Sequence, residues 1–187
     1  MHMANYTNSP LVSYVALSPN KTTIRTHAID TITIHCTAGQ MSVESLGTHF
    51  ANKAVMASSN YGIGKDGRIA MFVPESSRSW CSSNPENDHR AITIEVSSDD
   101  KSPYAVYSEA YDSLITLVAD VCRRNGITQL RWKHDKSLVG KTDAEGKLLQ
   151  NLTLHKWFAN KACPGEFLEG HMSEIAEKVN ALLQHQY

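Results

Sequence analysis

The chain of 187 residues is poor in aromatic residues, which make up 7% of it, and it has no excess of charge of either sign. Its 18 lysines and arginines against 19 aspartates and glutamates leave a formal net charge of -1, so nothing favours nucleic acid as a partner. Apolar runs such as Leu117 to Ala119 are far shorter than the roughly 20 residues that cross a bilayer. We therefore expect no insertion into a membrane.

Cysteine is also scarce, with four residues dispersed along the chain. A chain of this length can bury a sufficient core without disulfide bonds, so we predict one domain over residues 1–187 and no disulfide framework. Cys36 and Cys122 fall on apolar faces of predicted elements and are interpreted as buried free thiols. The first six residues lack the basic-then-apolar pattern of a secretory signal, so we expect synthesis in a cytoplasm.

The sequence does contain an apolar-Thr-apolar-ionisable pattern three times. In a β-strand, alternate side chains point to opposite faces, so each copy places its threonine and its ionisable residue on one face. If the three strands lie in one sheet, two histidines and a glutamate share a face, which suits a metal-dependent hydrolase. The alternative is that each strand merely ends where the sheet meets solvent. The copies are Ile32-Thr33-Ile34-His35, Ile92-Thr93-Ile94-Glu95 and Leu152-Thr153-Leu154-His155.

A short segment after His155 leads to Cys163, and the Pro-Gly that follows turns the backbone sharply. With His35, this pair supplies two imidazoles and one thiolate. Three protein ligands and one open position are typical of catalytic zinc, whereas structural zinc usually takes four protein ligands. The pattern predicts one catalytic zinc ion held by His35, His155 and Cys163. A structural zinc domain would need a further ligand, which is not evident.

Strand and helix signals alternate along the chain. This alternation predicts an α/β fold, a single layered domain with a central mixed β-sheet flanked by helices. The predicted elements are an N-terminal arm over 1–29, a strand at 31–36, a helix from Ser42 to about Lys53, two strands flanking the turn at 64–67, a loop over 74–90, a strand from Ala91, a helix from Ser102 to Gly126, an exposed insertion over 133–150 and a helix over 166–184.

Four segments of the chain resemble, in the family's order, the zinc-dependent N-acetylmuramoyl-L-alanine amidases of type 2. That family includes phage lysozyme-type amidases and the peptidoglycan recognition proteins. The stretch 78–83, followed by 87–90, is similar to endolysins of phages and prophages of Gram-positive, clostridial-type hosts. The four segments, within a resemblance that spans residues 31–167, are Ile32 to Gly39, Ser58 to Gly67, Ala91 to Val96 and Leu154 to Gly165.

The resemblance implies a type 2 amidase fold and hydrolysis of the amide bond between N-acetylmuramic acid and L-alanine in peptidoglycan. It implies the same three zinc ligands. It also implies Glu95 as general base, because Glu95 occupies the family's glutamate position. The alternative tyrosine position of the family falls at Ser59 rather than at Tyr61. Lys161 matches a family lysine that helps to stabilise the transition state.

The substrate would be bacterial peptidoglycan, cleaved by a monomeric endolysin catalytic domain that acts on the cell wall after release from the host cytoplasm. We expect Tyr61, in a mainly structural role, and Trp80, His89 and Arg90 to line the substrate cleft. Two other functions fit the residues. One is a non-catalytic peptidoglycan-binding module, and the other is a cell-wall cysteine peptidase that uses Cys163 with His155.

Overall fold

The computed structural model describes residues 6–185. Residues 1–5, which belong to the predicted N-terminal arm and to the segment that lacks a secretory-signal pattern, lie outside the described residues. The strands are β1 (Tyr14–Val15), β2 (Lys21–Thr22), β3 (Thr31–Cys36), β4 (Tyr61–Ile63), β5 (Ile69–Met71), β6 (Arg78–Ser79), β7 (Ala91–Val96) and β8 (Leu152–Leu154). The α-helices are α1 (Val43–Ala51), α2 (Pro85–Arg90), α3 (Ser108–Arg124) and α4 (Gly165–Gln184), and short 3-10 helices cover Lys53–Val55, Lys136–Leu138 and His155–Trp157.

Six strands form one mixed sheet in the order β1-β5-β4-β7-β3-β8, and β2 pairs with β6 in a separate two-stranded sheet. Only the β4–β5 pair of the larger sheet is antiparallel. The aliphatic side chains of β3, β7 and β8 form one core cluster with α3 and α4, whereas α1 packs with β5 in a second cluster. The predicted α/β fold with a central mixed sheet is therefore confirmed.

The three patterned segments lie on neighbouring parallel strands and share one register. Thr33 of β3 is opposite Thr93 on β7 and Thr153 on β8, and His35 is opposite Glu95. The threonines and the ionisable residues thus share a face, as the repeated pattern predicts. His155 differs in one respect, because β8 ends at Leu154 and His155 begins a 3-10 helix.

Helix α2 lies within the stretch predicted to be a loop, so that prediction is wrong. Its start has an ordinary signature, since the Asn84 side chain accepts a hydrogen bond from the Asn87 backbone N–H at 2.9 Å and Pro85 follows directly. The polar composition of the segment hides this signature, because six residues are too few to show an apolar stripe.

The predicted start of α3 at Ser102 is also wrong, because the helix begins at Ser108. Two features keep the preceding residues out of a helix. Tyr104 has a φ of 60°, in the left-handed region, and the Asp99 backbone N–H donates to the Ala105 carbonyl at 2.8 Å. The second contact closes a loop, so the helix can start only beyond it.

Two further predictions concern cysteines and membrane crossing. All four cysteines are free, as predicted, and Cys36 and Cys122 are buried. Within residues 6–185, no helix combines the length and the apolar character that crossing a bilayer requires.

Candidate metal centre and active site

Two imidazoles and a thiol meet at the carboxyl end of β3. One ligand atom from each of His35, His155 and Cys163 lies within 4.8 Å of the other two. The Cys163 Sγ is 3.4 Å from the His35 Nδ1, and the centroids of the two imidazole rings are 4.9 Å apart. The structure thus brings together the three residues predicted to bind zinc.

The segment from His155 to Cys163 is held as a closed loop. The Lys156 backbone N–H donates to the Cys163 carbonyl at 3.0 Å, which brings the ends of the loop together. The Cys36 backbone N–H, one residue beyond His35, donates to the Cys163 Sγ at 3.4 Å. The end of β3 therefore supplies the ligand His35 and, through the Cys36 N–H, also holds the ligand Cys163. This explains how residues more than a hundred positions apart share one site.

The protonation states of the two imidazoles suit metal binding. Burial and the neighbouring His155 hold the pKa of His35 well below its usual value. Burial and Lys161 lower the pKa of His155. Both imidazoles are therefore neutral at neutral pH, which is the form that coordinates a metal. The hydrogen bond with the Cys36 thiol, and then burial, raise the pKa of Cys163, so that ligand must lose a proton when a cation binds.

Two buried polar atoms at this site have no hydrogen-bond partner among the described residues, namely the His35 Nε2 and the Glu95 Oε2. Such atoms are rare in folded proteins, because leaving a polar group buried and unpaired costs about 1–3 kcal/mol. A cation with its coordinated water would supply the interactions that these residues lack. The donor set of two imidazoles and one thiolate, with a carboxylate beside it, also fits zinc.

Glu95 lies on β7 directly opposite His35, and its environment is unusual for a carboxylate. Burial raises its pKa to about 8, with a smaller contribution from Cys36. Its Oε1 is 3.8 Å from the Cys81 Sγ. His35, Cys81 and Glu95 form a second group whose potential ligand atoms all lie within 4.8 Å of one another. Cys81 was not predicted to lie at the site, because it comes from the stretch predicted to be a loop.

Two cavities, of about 360 and 350 Å³, flank the metal centre on either side of Trp80. The first has an apolar wall that includes Leu46 and Phe50 of α1. The second is lined by the cationic side chains of Arg78 and Lys161 together with the carboxyl group of Asp88. The structure therefore places Trp80, predicted to contact substrate, and Lys161, predicted to stabilise the transition state, beside the metal centre.

The prediction that Tyr61 lines the substrate cleft is wrong. Its side chain is completely buried, donates to the Glu75 Oε1 at 2.6 Å and accepts from the Ser9 backbone N–H at 2.9 Å. On β4, Tyr61 is the register partner of Ile94, whereas Gly62 is the partner of Glu95. Because adjacent residues of a strand face opposite sides, Tyr61 points into the core.

The structure also does not bring His89 and Arg90 to the metal centre. Both end helix α2, and five residues of extended strand, roughly 16 Å, separate Arg90 from Glu95. Arg90 is paired with Asp30 at 2.6 Å, and both predicted residues line a third cavity, which shares Asn84 with the second one. The two residues thus line a cavity rather than the metal centre itself, and their contact with substrate stays a prediction.

Two serines and an aspartate near the site were not predicted either. The Ser83 Oγ is 3.5 Å from the His155 Nε2. The buried Asp88 accepts hydrogen bonds from the backbone N–H groups of Cys81 and Ser82 at 3.1 and 3.2 Å. These contacts depend on α2, and the sequence signal that could have found them is the Asn-Pro start of that helix.

The chain matches a family model described as N-acetylmuramoyl-L-alanine amidase over residues 25–166. Among solved structures, a mutant of PlyL has a TM-score of 0.65 at 16% identity, covering 90% of this chain and 98% of that one. AmpD gives 0.63 at 17% identity, with 90% and 93% covered. LysCS, an endolysin amidase from Clostridium intestinale, gives 0.58 at 19% identity, with 90% and 97% covered. These likenesses show a shared fold. No curated protein sequence matches the chain.

Proposed function

The chain belongs to the N-acetylmuramoyl-L-alanine amidase family and is an amidase of peptidoglycan, and we propose that it works with one zinc ion held by His35, His155 and Cys163. The bond cleaved joins N-acetylmuramic acid to L-alanine. The observation that carries the zinc proposal is the meeting of two neutral imidazoles and a thiol beside two buried, unpartnered atoms. When bound, zinc lowers the pKa of a coordinated water from 15.7 to about 7.

Glu95 is the proposed general base. Its Oε2 is buried without a partner, and the carboxyl group lies beside the ligand His35, so it can accept a proton from the attacking water. Without a cation, the carboxyl group is protonated at neutral pH, since its pKa is about 8. A neighbouring positive charge favours the carboxylate, so the base acquires its active form together with the ligands. The same group then returns the proton to the leaving amine of L-alanine.

Lys161 is the proposed stabiliser of the negative charge that develops on the lactyl carbonyl oxygen. It is exposed on the loop between His155 and Cys163, and it lines the cavity that adjoins His155. Its charge acts on the site, because it contributes to the lowered pKa of His155. A cation held at this position stabilises an oxyanion more strongly in a site shielded from water.

The biological setting belongs to the same proposal. PlyL shares this fold, and LysCS is an endolysin amidase with this fold. We propose that the chain is a monomeric endolysin catalytic domain that acts on the bacterial cell wall after release from the host cell.

Digestion of purified peptidoglycan, followed by mass spectrometry of the products, tests this proposal. The zinc-loaded protein should release stem peptides that begin with a free L-alanine amine. Glu95→Gln should keep its zinc and lose about 10²-fold or more of the rate, the usual effect of removing a general base. Glu145→Gln is the matched control, because it makes the same change at an exposed carboxylate outside the site.

Three results would contradict the proposal. Activity that survives exhaustive chelation would favour the cysteine peptidase, although the raised pKa of Cys163 does not suit a thiolate nucleophile. Binding of peptidoglycan without release of peptides would favour the non-catalytic module. Full activity of Glu95→Gln would remove Glu95 from the mechanism.

A further inference from the structure

Cys81 is held beside the metal centre by hydrogen bonds from backbone N–H groups to Asp88. Its N–H donates to the Asp88 Oδ2 at 3.1 Å, and the next N–H, that of Ser82, donates to the same carboxylate. Asp88 is 1% exposed and belongs to helix α2. The position of Cys81 is therefore fixed by a buried side chain of a helix rather than by a mobile loop.

The thiol of Cys81 contacts one oxygen of Glu95 and leaves the other open. The Cys81 Sγ is 3.8 Å from the Glu95 Oε1, whereas the Glu95 Oε2 is buried without a partner. Burial and the neighbouring Glu95 raise the pKa of Cys81, so the sulfur carries its proton and acts as the donor. The two oxygens of the carboxyl group thus have different environments.

Rotation of the Glu95 carboxyl group would exchange these two oxygens. The terminal torsion of a glutamate side chain is broad and roughly two-fold, so the backbone of β7 does not fix it. A donor on one oxygen selects one orientation. No other side chain in residues 6–185 makes a hydrogen bond to this carboxyl group.

We propose that Cys81 is a positioning residue for Glu95: its S–H group donates to the Oε1 and so directs the Oε2 toward the attacking water. This role rests on the proposed function of Glu95 as general base. It assigns to Cys81 neither a covalent step nor a bond to the metal. The rival role is a metal ligand, because a potential ligand atom of Cys81 lies within 4.8 Å of those of His35 and Glu95.

Infrared spectroscopy of the zinc-loaded protein, in which the neighbouring positive charge favours the Glu95 carboxylate, tests the hydrogen bond independently of activity. Subtracting the spectrum of Cys81→Ala isolates the S–H stretching band of this thiol. In Glu95→Gln, which offers a weaker acceptor, the band should shift toward the frequency of a free thiol. The band of Cys122, a buried thiol in the core cluster, should not move. An unshifted Cys81 band would overturn the proposal.

Kinetics of the zinc-loaded enzyme test the consequence of the hydrogen bond. In Cys81→Ala, kcat should fall about fivefold to tenfold while KM changes by less than about twofold, because only the orientation of the base is lost. Cys81→Ser keeps a donor and should recover most of kcat. Both variants should retain one zinc ion per chain and the wild-type affinity for it. An unchanged kcat in Cys81→Ala would overturn the proposal, and so would loss of zinc affinity in Cys81→Ser, which would make Cys81 a ligand.

The two experiments separate this inference from the proposed function. A shifted infrared band together with full activity of Glu95→Gln would leave the hydrogen bond in place and overturn both the general base and the positioning role. A normal loss of activity in Glu95→Gln together with an unshifted band would overturn the role of Cys81 alone.

Discussion

Single residues at the metal centre hold protons that a cation must displace. Cys163 carries a proton because Cys36 and burial raise its pKa, and Glu95 carries one below a pKa of about 8. His35 and His155 are already neutral and have none to lose. Metal affinity should therefore rise with pH over the neutral range, since fewer protons must leave as the pH approaches the pKa of Glu95.

Calorimetric titration of zinc at pH 7, in buffers of different ionisation enthalpy, measures these protons. The metal-free protein should release about two protons per zinc ion, one from the thiol and one from the carboxyl group. Glu95→Gln should release about one fewer, because an amide has no proton to give. Equal proton release by the two proteins would show that Glu95 is already ionised before the metal binds.

The site residues could be predicted where the strand pattern shows which side chains share a face of the sheet. The prediction was wrong where the face of a strand residue could not be read from the pattern. His35 and Glu95 share a face because their strands pair without offset, and that much follows from the repeated sequence pattern. To predict the placement of the Tyr61 side chain, one would have to know that Gly62, rather than Tyr61, is the register partner of Glu95. A shift of one residue moves a side chain to the other face, and no local signal sets that register.

At the scale of elements, helix α2 lies on the threonine face of the sheet through a polar contact. The Asn87 side chain donates to the Thr33 Oγ1 at 3.0 Å and accepts from the Thr153 Oγ1 at 3.1 Å. The two threonine hydroxyls are also 2.8 Å from each other. Two of the three threonines of the repeated pattern, Thr33 and Thr153, therefore bind the helix whose Asp88 accepts from the Cys81 backbone.

Asn87→Ala should lower the free energy of unfolding by about 2 kcal/mol, because it removes two buried hydrogen bonds and leaves threonine hydroxyls only partly satisfied. Urea unfolding of the metal-free protein measures this change. Glu86→Ala, an exposed neighbour on the same helix, should change it by less than about 0.5 kcal/mol. Equal effects of the two substitutions would show that the Asn87 contacts do not hold α2 in place.

The elements built on long apolar patterns could be predicted from the sequence, whereas the short polar ones could not. Helix α4 begins at Gly165, one residue from its predicted start, and β3 and β7 have their predicted starts. Helix α2 is held by side-chain hydrogen bonds to a distant part of the chain. Contacts of that kind leave no periodicity in the local sequence.

At the scale of the whole molecule, one buried carboxylate joins three distant segments. Glu75 has no exposed surface, and it accepts hydrogen bonds from the Tyr61 hydroxyl of β4 and from Arg124 and Asn125 at the end of α3. Its backbone N–H donates to the Asn8 side chain of the N-terminal segment at 3.0 Å. The mainly structural role expected for Tyr61 thus belongs to this network rather than to the cleft.

Glu75→Ala should lower the free energy of unfolding by about 3–5 kcal/mol, because the partly buried Arg124 guanidinium loses one of its two carboxylate partners and the buried Tyr61 hydroxyl loses its acceptor. Thermal and urea unfolding measure the effect. Glu145→Ala removes an exposed carboxylate and should change the free energy little. A change of less than about 1 kcal/mol in Glu75→Ala would mean that neighbouring groups or water replace the lost carboxylate.

X-ray absorption at the zinc edge of the loaded protein is the decisive test of the proposed metal centre, since it counts the atoms bound to the metal. We expect two imidazole nitrogens at about 2.0–2.1 Å and one sulfur at about 2.3 Å, with one further light atom from water. The sulfur signal should disappear in Cys163→Ser and persist in Cys81→Ser. A shell with two sulfurs, or a sulfur signal that survives in Cys163→Ser, would contradict a zinc centre built from His35, His155 and Cys163.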